Sequence, residues 1–397
     1  MRVSTMGSYA NGLSAMQRLQ AALDQTQRQI SSGRRILTPS DDPLAAARAV
    51  EIRESIGRLD QFDRNATIAG NRLAQEESSL ASVNNVLQRV RELALQANNA
   101  TQSTETRRLI AVEMRQSLDQ LVQLANQKDG SGSYLFSGNL ESTLPVTRMG
   151  DTFTYNGDQG QRYIQIGEGR QVADGDSGSA VFFKIRAGNG SFVTSSAAAN
   201  TGTGVLGAGN VVDQSAWDQG QYTVRFVAPD SYEVEDATGS VIAANTFQDG
   251  DTLAFRGIEF SLAGQPEAGD EFSVAPSPYQ DVFSMVDQLA TSLEQSAAGP
   301  AGQATLNNGV NAAIQNIDQA IDNVLDVRIQ VGSRLTAIEN QLDSNGAYKL
   351  NYQDTLASIE DLDYAEALSR LSLQATTLEA AQQSFIRTQS LSLFNYF

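Results

Sequence analysis

The stretch "LDQFDRNATIAGNRLAQEESSLASVNNVLQRVRELALQA", residues 59–97, decides the fold of this chain. Its apolar residues recur at alternating spacings of three and four, so that they form one stripe along a helix. A stripe sustained over several heptads is typical of a coiled coil or a helical bundle. Glu76 is the one polar residue among its positions, which are Leu59, Phe62, Ala66, Ala69, Leu73, Glu76, Leu80, Val83, Leu87, Val90, Ala94 and Ala97.

A second stripe with the same spacing covers residues 310–342, near the other end of the chain. A shorter stripe over residues 110–124 predicts a helix that folds back beside the first. The start of the first helix is marked by "TPSDDPLAAARAV", in which Asp42 is placed to cap the helix and Pro43 to occupy its first position. Capping explains the pair Asp41 and Asp42 better than a catalytic role does.

Between the helical parts the composition changes. Residues 138–275 hold 20 of the 32 glycines and the single tryptophan, Trp217. Segments such as "QYTVRFVA" and "SYEVE" alternate polar and apolar residues between turn sequences, as strands do. We therefore predict an α+β multidomain chain, in which both ends form an antiparallel helical bundle or coiled coil and an antiparallel β domain is inserted between them. The predicted divisions are terminal helices in residues 1–41 and 361–397, bundle halves in 42–140 and 277–360, and the β-rich domain in 141–276.

The composition excludes several classes of function. The chain has 397 residues, no cysteine, no histidine and a net charge of −18. Thiol nucleophiles, imidazole bases and the commonest metal ligands are thus missing, and we expect no enzymatic activity, no catalytic residues, no cofactor and no metal. The acidic excess, 19 acidic against 7 basic residues in 141–281, argues against nucleic-acid binding. No run of 18 apolar residues occurs, so we predict no membrane span.

Two short motifs resemble ligand-binding loops. Gly202, Gly204 and Gly207 match G-x-G-x-x-G, but no predicted strand precedes them and no helix follows, so a flexible loop is the favoured interpretation. "DGDSG", residues 174–178, is similar to the start of a calcium loop. It lacks the glutamate that such a loop needs at its twelfth position, where Ile185 stands, and we interpret it as a turn.

Both chain ends carry weaker stripes, interrupted by Gln20, Gln27 and Gln382, and the two end helices could pair with each other. The chain closes with "LSLFNYF", residues 391–397, although chain ends usually fray into water. We predict that the two ends form an assembly surface for other molecules; a tail docked on its own body is the alternative. The predicted surface comprises Leu13, Met16, Leu23, Ile30, Leu368, Leu371, Leu378, Phe385, Ile386, Leu391, Leu393, Phe394, Tyr396 and Phe397.

The ends also resemble a known family. "ISSGRRILTPSDDPLAAARA", residues 30–49, resembles the N-terminal signature of bacterial flagellins and their hook–filament junction relatives. "LDYAEALSRLSLQATTLEAAQQSFIRTQSLSLFNYF", residues 362–397, resembles the C-terminal signature, and its last residues are similar to those of the junction members. "SGSYLFSGN", residues 131–139, supports the same branch.

The resemblance implies a structural protein of the bacterial flagellum, secreted and extracellular, that forms a homo-oligomeric adaptor ring between hook and filament. It implies contacts with the first hook-associated protein and with flagellin, and a flagellar export chaperone that serves type III export. Three alternatives stay open: a flagellin filament subunit, a secreted acidic enzyme or carbohydrate-binding module, and a cytoplasmic coiled-coil adaptor. The last of these leaves the β insertion unexplained.

Overall fold

The computed structural model describes residues 5–295 and 299–390. Within the described ranges no helix has the length and apolar character to cross a membrane. The helices are α1 (Thr5–Ser32), α2 (Pro43–Ala97), α3 (Thr104–Ala125), α4 (Val282–Glu294), α5 (Pro300–Glu360) and α6 (Tyr364–Ser390).

Helix α2 begins where the sequence predicts. The Asp42 carboxylate accepts a hydrogen bond from the Ala45 N–H at 3.0 Å, and Pro43 is the first helical residue. Every predicted stripe position from Leu59 to Ala97 is buried, which confirms the heptad prediction. Along the second stripe one position of each heptad is buried and the other is half-buried; the buried ones are Val310, Ile317, Val324, Val331 and Ile338.

The chain forms two compact units, and α2 and α5 contribute residues to both. The first unit contains the described residues up to Arg64 and from Gln341 onward. Within it α2 and α5 run antiparallel, since Asn345 Nδ2 donates to Asp63 Oδ1 at 3.0 Å while Arg53 forms an ion pair with Glu360.

The second unit contains residues 65–340 as far as they are described. Here too α2 and α5 are antiparallel, because Arg91 forms an ion pair with Asp318 at 2.6 Å and Arg328 pairs with Glu77 at 2.6 Å. Helix α3 folds back beside α2, as predicted, and Arg107 Nε donates to the carbonyl of Ala97 at 3.1 Å.

The region between α3 and α4 consists of short antiparallel strands and one π-helical turn, Ser179–Phe183. The strands are β1 (Val146–Met149), β2 (Thr152–Tyr155), β3 (Tyr163–Gly167), β4 (Arg170–Ala173), β5 (Ile185–Arg186), β6 (Phe192–Ser196), β7 (Val205–Val211), β8 (Tyr222–Ala228), β9 (Ser231–Asp236), β10 (Val241–Thr246), β11 (Thr252–Phe255), β12 (Ile258–Ala263), β13 (Glu271–Pro276) and β14 (Tyr279–Gln280).

The first part of this region, up to β5, packs into the helical core. The ring of Phe153 in β2 stacks on Phe283 of α4 with centroids 5.4 Å apart. Phe182 in the π-helical turn lies 5.2 Å from Phe136 and 5.7 Å from Phe283, again between ring centroids. These aromatic contacts make the segment part of the helical core.

Strands β6–β13 form a sandwich with a core of its own. One sheet has the order β10-β9-β8-β13-β6 and the other β11-β12-β7. Residues of β8 alternate as a half-buried strand requires, with Tyr222, Val224 and Phe226 inward. The entering and leaving chains meet at the base of the sandwich, where the Ser277 N–H donates to the Ser191 carbonyl at 3.0 Å. The predicted 141–276 domain thus has two parts: the residues up to β5 contact the helices, and strands β6–β13 form the sandwich. That residues 141–276 fold as one unit stays a prediction.

The flexible-loop interpretation of the glycine motif was wrong. Gly202 and Gly204 are buried just before β7, and Gly207 lies within it. A Cβ atom on Gly204 would come within 2.7 Å of the Phe272 ring, and one on Gly202 within 2.4 Å of the Asp270 carboxylate. The motif lacks side chains because the chain passes this close to the sandwich core.

The turn interpretation of "DGDSG" was also wrong. Asp174 and Asp176 are buried in a segment without a turn that follows β4. Arg334 of α5 holds the Asp176 carboxylate through two hydrogen bonds of 2.8 and 2.9 Å. On the α2 side, Glu76 Oε1 accepts the Asp176 N–H at 3.1 Å. The segment is therefore a buried polar link between two helices.

Glu76 is 1% exposed, and its Oε2 has no hydrogen-bond partner among the described residues. Burial, followed by repulsion from the Asp176 carboxylate, raises the pKa of Glu76 well above its ordinary value of 4.5. Above pH 4.5 the folded chain therefore keeps a proton that the unfolded chain has released. The free energy of unfolding consequently falls as the pH rises from the ordinary towards the raised pKa.

We expect Glu76→Gln to raise the free energy of unfolding above pH 7 and to flatten its decline with rising pH, because glutamine keeps the shape without a buried charge. Denaturant titrations from pH 5 to 9 measure this. The control is Glu77→Gln, which removes the ion pair with Arg328 and should lower stability slightly at every pH. If Glu76→Gln destabilises the protein at pH 9 as much as at pH 5, the carboxyl does not hold the proton.

Excising the sandwich alone, residues 192–276, and joining Ser191 to Ser277 by a short linker should leave one cooperative helical unfolding transition, because its two ends already meet. Excising residues 142–276 should destabilise the helices strongly, since each lost core Phe costs about 3–5 kcal/mol. Thermal melting followed by circular dichroism at helical wavelengths compares the two deletions. Equal loss of the helical transition in both would show that the sandwich is not separable.

Candidate functional site

The terminal helices α1 and α6 lie side by side and antiparallel within the first unit. Near their free ends the rings of Tyr9 and Phe385 are 5.1 Å apart. At the opposite end the Leu362 N–H donates to the carbonyl of Gly33 at 3.0 Å. A Cβ atom on Gly12 would come within 3.1 Å of the Phe385 ring, so the small residue allows the helices to approach. The predicted pairing of the two ends is confirmed for the described residues.

The loop "SGRRI" closes the end of α1. Gly33 has φ +72°, a left-handed conformation that favours glycine after a helix. The Arg35 N–H donates to the Glu360 carbonyl at 2.7 Å, and Gln29 Nε2 donates to the Arg35 carbonyl at 2.6 Å. The first bond ties the loop to the end of α5, and the second ties it to α1.

Asp41 organises the next turn, before α2. Its carboxylate accepts the N–H groups of Thr38 at 2.8 Å and Leu37 at 3.0 Å, and the Gln25 side chain at 3.1 Å. The bonds from Thr38 and Leu37 lower the pKa of Asp41 below its ordinary value, because they stabilise the charged form. With Asp42 as the helix cap, both carboxylates of the pair have structural roles.

The predicted surface residues on α1 and α6 are only partly buried by the rest of the described chain. Leu13 is 42% exposed, Leu368 53% and Ile386 62%. The remaining ones on these helices are half-buried: Met16, Leu23, Ile30, Leu371, Leu378 and Phe385. The side chains buried between the helices lie near the loop instead, namely Thr26, Gln29 and Ala367.

Five predicted residues, Leu391, Leu393, Phe394, Tyr396 and Phe397, lie outside the described residues. The structure thus places the predicted residues of α1 and α6 on one helix pair and leaves the tail untested. Their role in assembly stays a prediction.

Sequence reasoning missed further exposed apolar side chains in this unit. Tyr9 is 49% exposed, Tyr364 51% and Leu373 69%. On α2 and α5, Leu44 and Leu350 are also exposed. Tyr364 lies on the stripe of the last helix but was left out of the predicted surface, and Tyr9 continues the stripe of the first helix. The leucines Leu44, Leu350 and Leu373 lie off the heptad positions, so a search of the stripes alone does not find them. A count of apolar residues at positions outside each stripe would have found them.

The carboxylates nearby serve as ion-pair and hydrogen-bond partners. Lys349 pairs with Asp60, and Arg53 with Glu360. Across the part of the chain that the structure describes, no group of three or more acidic side chains is arranged to hold a metal ion. The chemistry available at this surface is therefore apolar contact framed by polar side chains.

Comparisons with known proteins agree with this arrangement. The model of the bacterial flagellin N-terminal helical region matches residues 3–141, and that of the flagellin C-terminal helical region matches residues 314–397. Flagellar hook-associated protein 3 of Escherichia coli (strain K12) is 26% identical over 396 residues, which cover 99% of each chain.

Two crystal structures share the fold. FlgL of Xanthomonas campestris is 33% identical with a TM-score of 0.73, and the match covers 77% of this chain and 99% of that one. Flagellar hook-associated protein 3 of Legionella pneumophila is 31% identical with a TM-score of 0.75, and the match covers 78% of this chain and 98% of that one. The chain has helical ends like those of flagellin and an inserted antiparallel β region, and it is similar to these relatives over most of its length. The chain therefore belongs to the flagellar hook-associated protein 3 family.

Proposed function

We propose that this protein is a structural component of the flagellum that assembles with identical copies into an adaptor ring at the junction between hook and filament. The observation that carries the proposal is the helix pair of α1 and α6, whose predicted surface residues are exposed or half-buried. Several exposed apolar side chains that share one helix pair are typical of a surface that other molecules cover.

An energetic argument supports assembly. Helices α1 and α6 contain 28 and 27 residues. Ordering a residue costs about 1–2 kcal/mol of backbone entropy at room temperature. A large apolar side chain returns about 1.5–3 kcal/mol, and only when it is fully buried. Because none of the described surface residues reaches full burial, neighbouring molecules are needed to stabilise the pair.

The relatives support a junction role over a filament role. The flagellin models match only the two helical ends, whereas the hook-associated protein 3 of Escherichia coli matches along 99% of this chain. We propose the first hook-associated protein and flagellin as neighbours on the two sides of the ring. We further propose an export chaperone that covers the apolar ends before secretion, and no enzymatic role.

The assembly surface can be tested with Ile386→Asp, because Ile386 is 62% exposed. In the monomer the new charge lies in water at little cost, whereas a subunit contact would bury it unpaired. We expect loss of junction assembly and motility in a strain that lacks its own copy, with a melting temperature within about 2 °C of the parent. Truncation before Leu391 should act in the same way.

The matched control is Val212→Asp in the β region, where the parent side chain is 58% exposed. It should assemble normally. Sedimentation of purified protein, swimming in soft agar and release of flagellin into the medium measure the outcome. Normal assembly of Ile386→Asp contradicts the assembly surface. A large fall in its melting temperature would show that the helix docks on its own body, and growth of long polymers would favour a filament subunit.

A further inference from the structure

The strand β7 is the edge of its sheet. It pairs with β12 on one side, and no strand within the described residues lies on the other. Leu206 stands opposite Leu262 in this pairing, and its own N–H and C=O bond to groups away from β12. Outward backbone groups on an edge strand either remain in water or pair with another chain.

Asparagine side chains of α5 take the place of the missing strand. Asn308 Oδ1 accepts the Leu206 N–H at 2.7 Å, and its Nδ2 donates to the Gly204 carbonyl at 2.9 Å. Asn311 Nδ2 donates to the Leu206 carbonyl at 3.0 Å. A side-chain amide carries the same donor and acceptor as a peptide group. Two of them here satisfy three backbone groups at the start of β7, namely the carbonyl of Gly204 just before the strand and the N–H and carbonyl of Leu206 within it.

Other asparagines fix and extend this contact. Asn98, just after α2, donates through Nδ2 to Asn311 Oδ1 at 3.1 Å, which orients the Asn311 amide with its nitrogen towards β7. Asn316 Oδ1, one and a half turns further along α5, accepts the Gly188 N–H at 2.7 Å, where the chain enters the sandwich. Asn189 Nδ2 of the entering loop donates to the Gly209 carbonyl of β7 at 2.8 Å.

Because Asn308 is buried, the loss of its hydrogen bonds would lower the stability of the folded protein. Asn308 is 8% exposed, and a buried amide without partners is costly.

We propose that the asparagine row of α5, Asn308, Asn311 and Asn316, is a latch that closes the outer edge of β7 and holds the sandwich against α5. Without the latch the sandwich stays attached through its two connecting chains at Ser191 and Ser277, but it moves independently and β7 becomes an open edge. The latch is a positioning device, and it does not depend on the proposed function.

The test uses the full chain with the double substitution Asn308→Ala and Asn311→Ala. Amide exchange of peptides from β7 should become about tenfold faster or more, because the edge bonds are lost. Peptides from β8, in the sandwich interior, should keep their protection. Trp217 is the only tryptophan and is buried in the sandwich core, so its fluorescence anisotropy decay should gain a faster component as the sandwich moves.

The matched control is Asn307→Ala on the same helix, where the parent amide accepts from Gln303 Nε2 of α5 at 2.7 Å. It should change neither readout. If the double variant does not fold, Asn311→Ala alone removes the bonds of Asn311 to the Leu206 carbonyl and to Asn98, keeps both bonds of Asn308, and should accelerate β7 exchange by about threefold. Unchanged exchange and anisotropy in a folded variant overturn the latch. Equal acceleration in β7 and β8 overturns it as well, because the substitution would then have destabilised the whole sandwich.

Discussion

Two helices packed side by side leave much of their surface open, and this limit governs the ends of the chain. The pair α1 and α6 follows the same three–four spacing as α2, yet none of its predicted surface residues is buried. Along α2 the positions from Leu73 to Val90 are almost fully buried, because other helices and the first β segment lie around them. The spacing of apolar residues thus predicts a helix face, while the number of neighbouring elements decides whether that face is covered. Covering the ends requires other molecules, which is the physical basis of the proposed ring.

Some of the polar groups inside the protein lie where helices meet non-helical chain. Glu76 and Arg334 hold the buried segment around Asp176, and Asn308 holds the edge of β7. Apolar contacts alone leave two packed surfaces free to slide, whereas hydrogen bonds with a fixed donor and acceptor specify one register. The inserted sandwich needs such hydrogen bonds to the helices, because it has its own core and could otherwise rotate about its two connecting chains.

Much of the fold could be predicted from the sequence, because periodicity and capping are local signals. The start of α2 at Pro43, its buried stripe and the antiparallel strands follow from residues a few positions apart. The role of "DGDSG" and of the asparagine row could not be predicted, since each depends on residues about 100 or more positions away. For the candidate site, the pairing of the two ends was predictable, whereas exposed residues off the stripes, such as Leu373, were not.

Amide exchange of the terminal helices, compared between the monomer and the assembled protein, tests the central claim most directly. In a monomer verified by sedimentation, α1 and α6 should exchange much faster than α2 between Leu73 and Val90, because their apolar side chains are partly in water. On assembly their protection should rise to that of α2. Equal protection of all three helices in the monomer would contradict the account, because the ends would then be stable without other molecules.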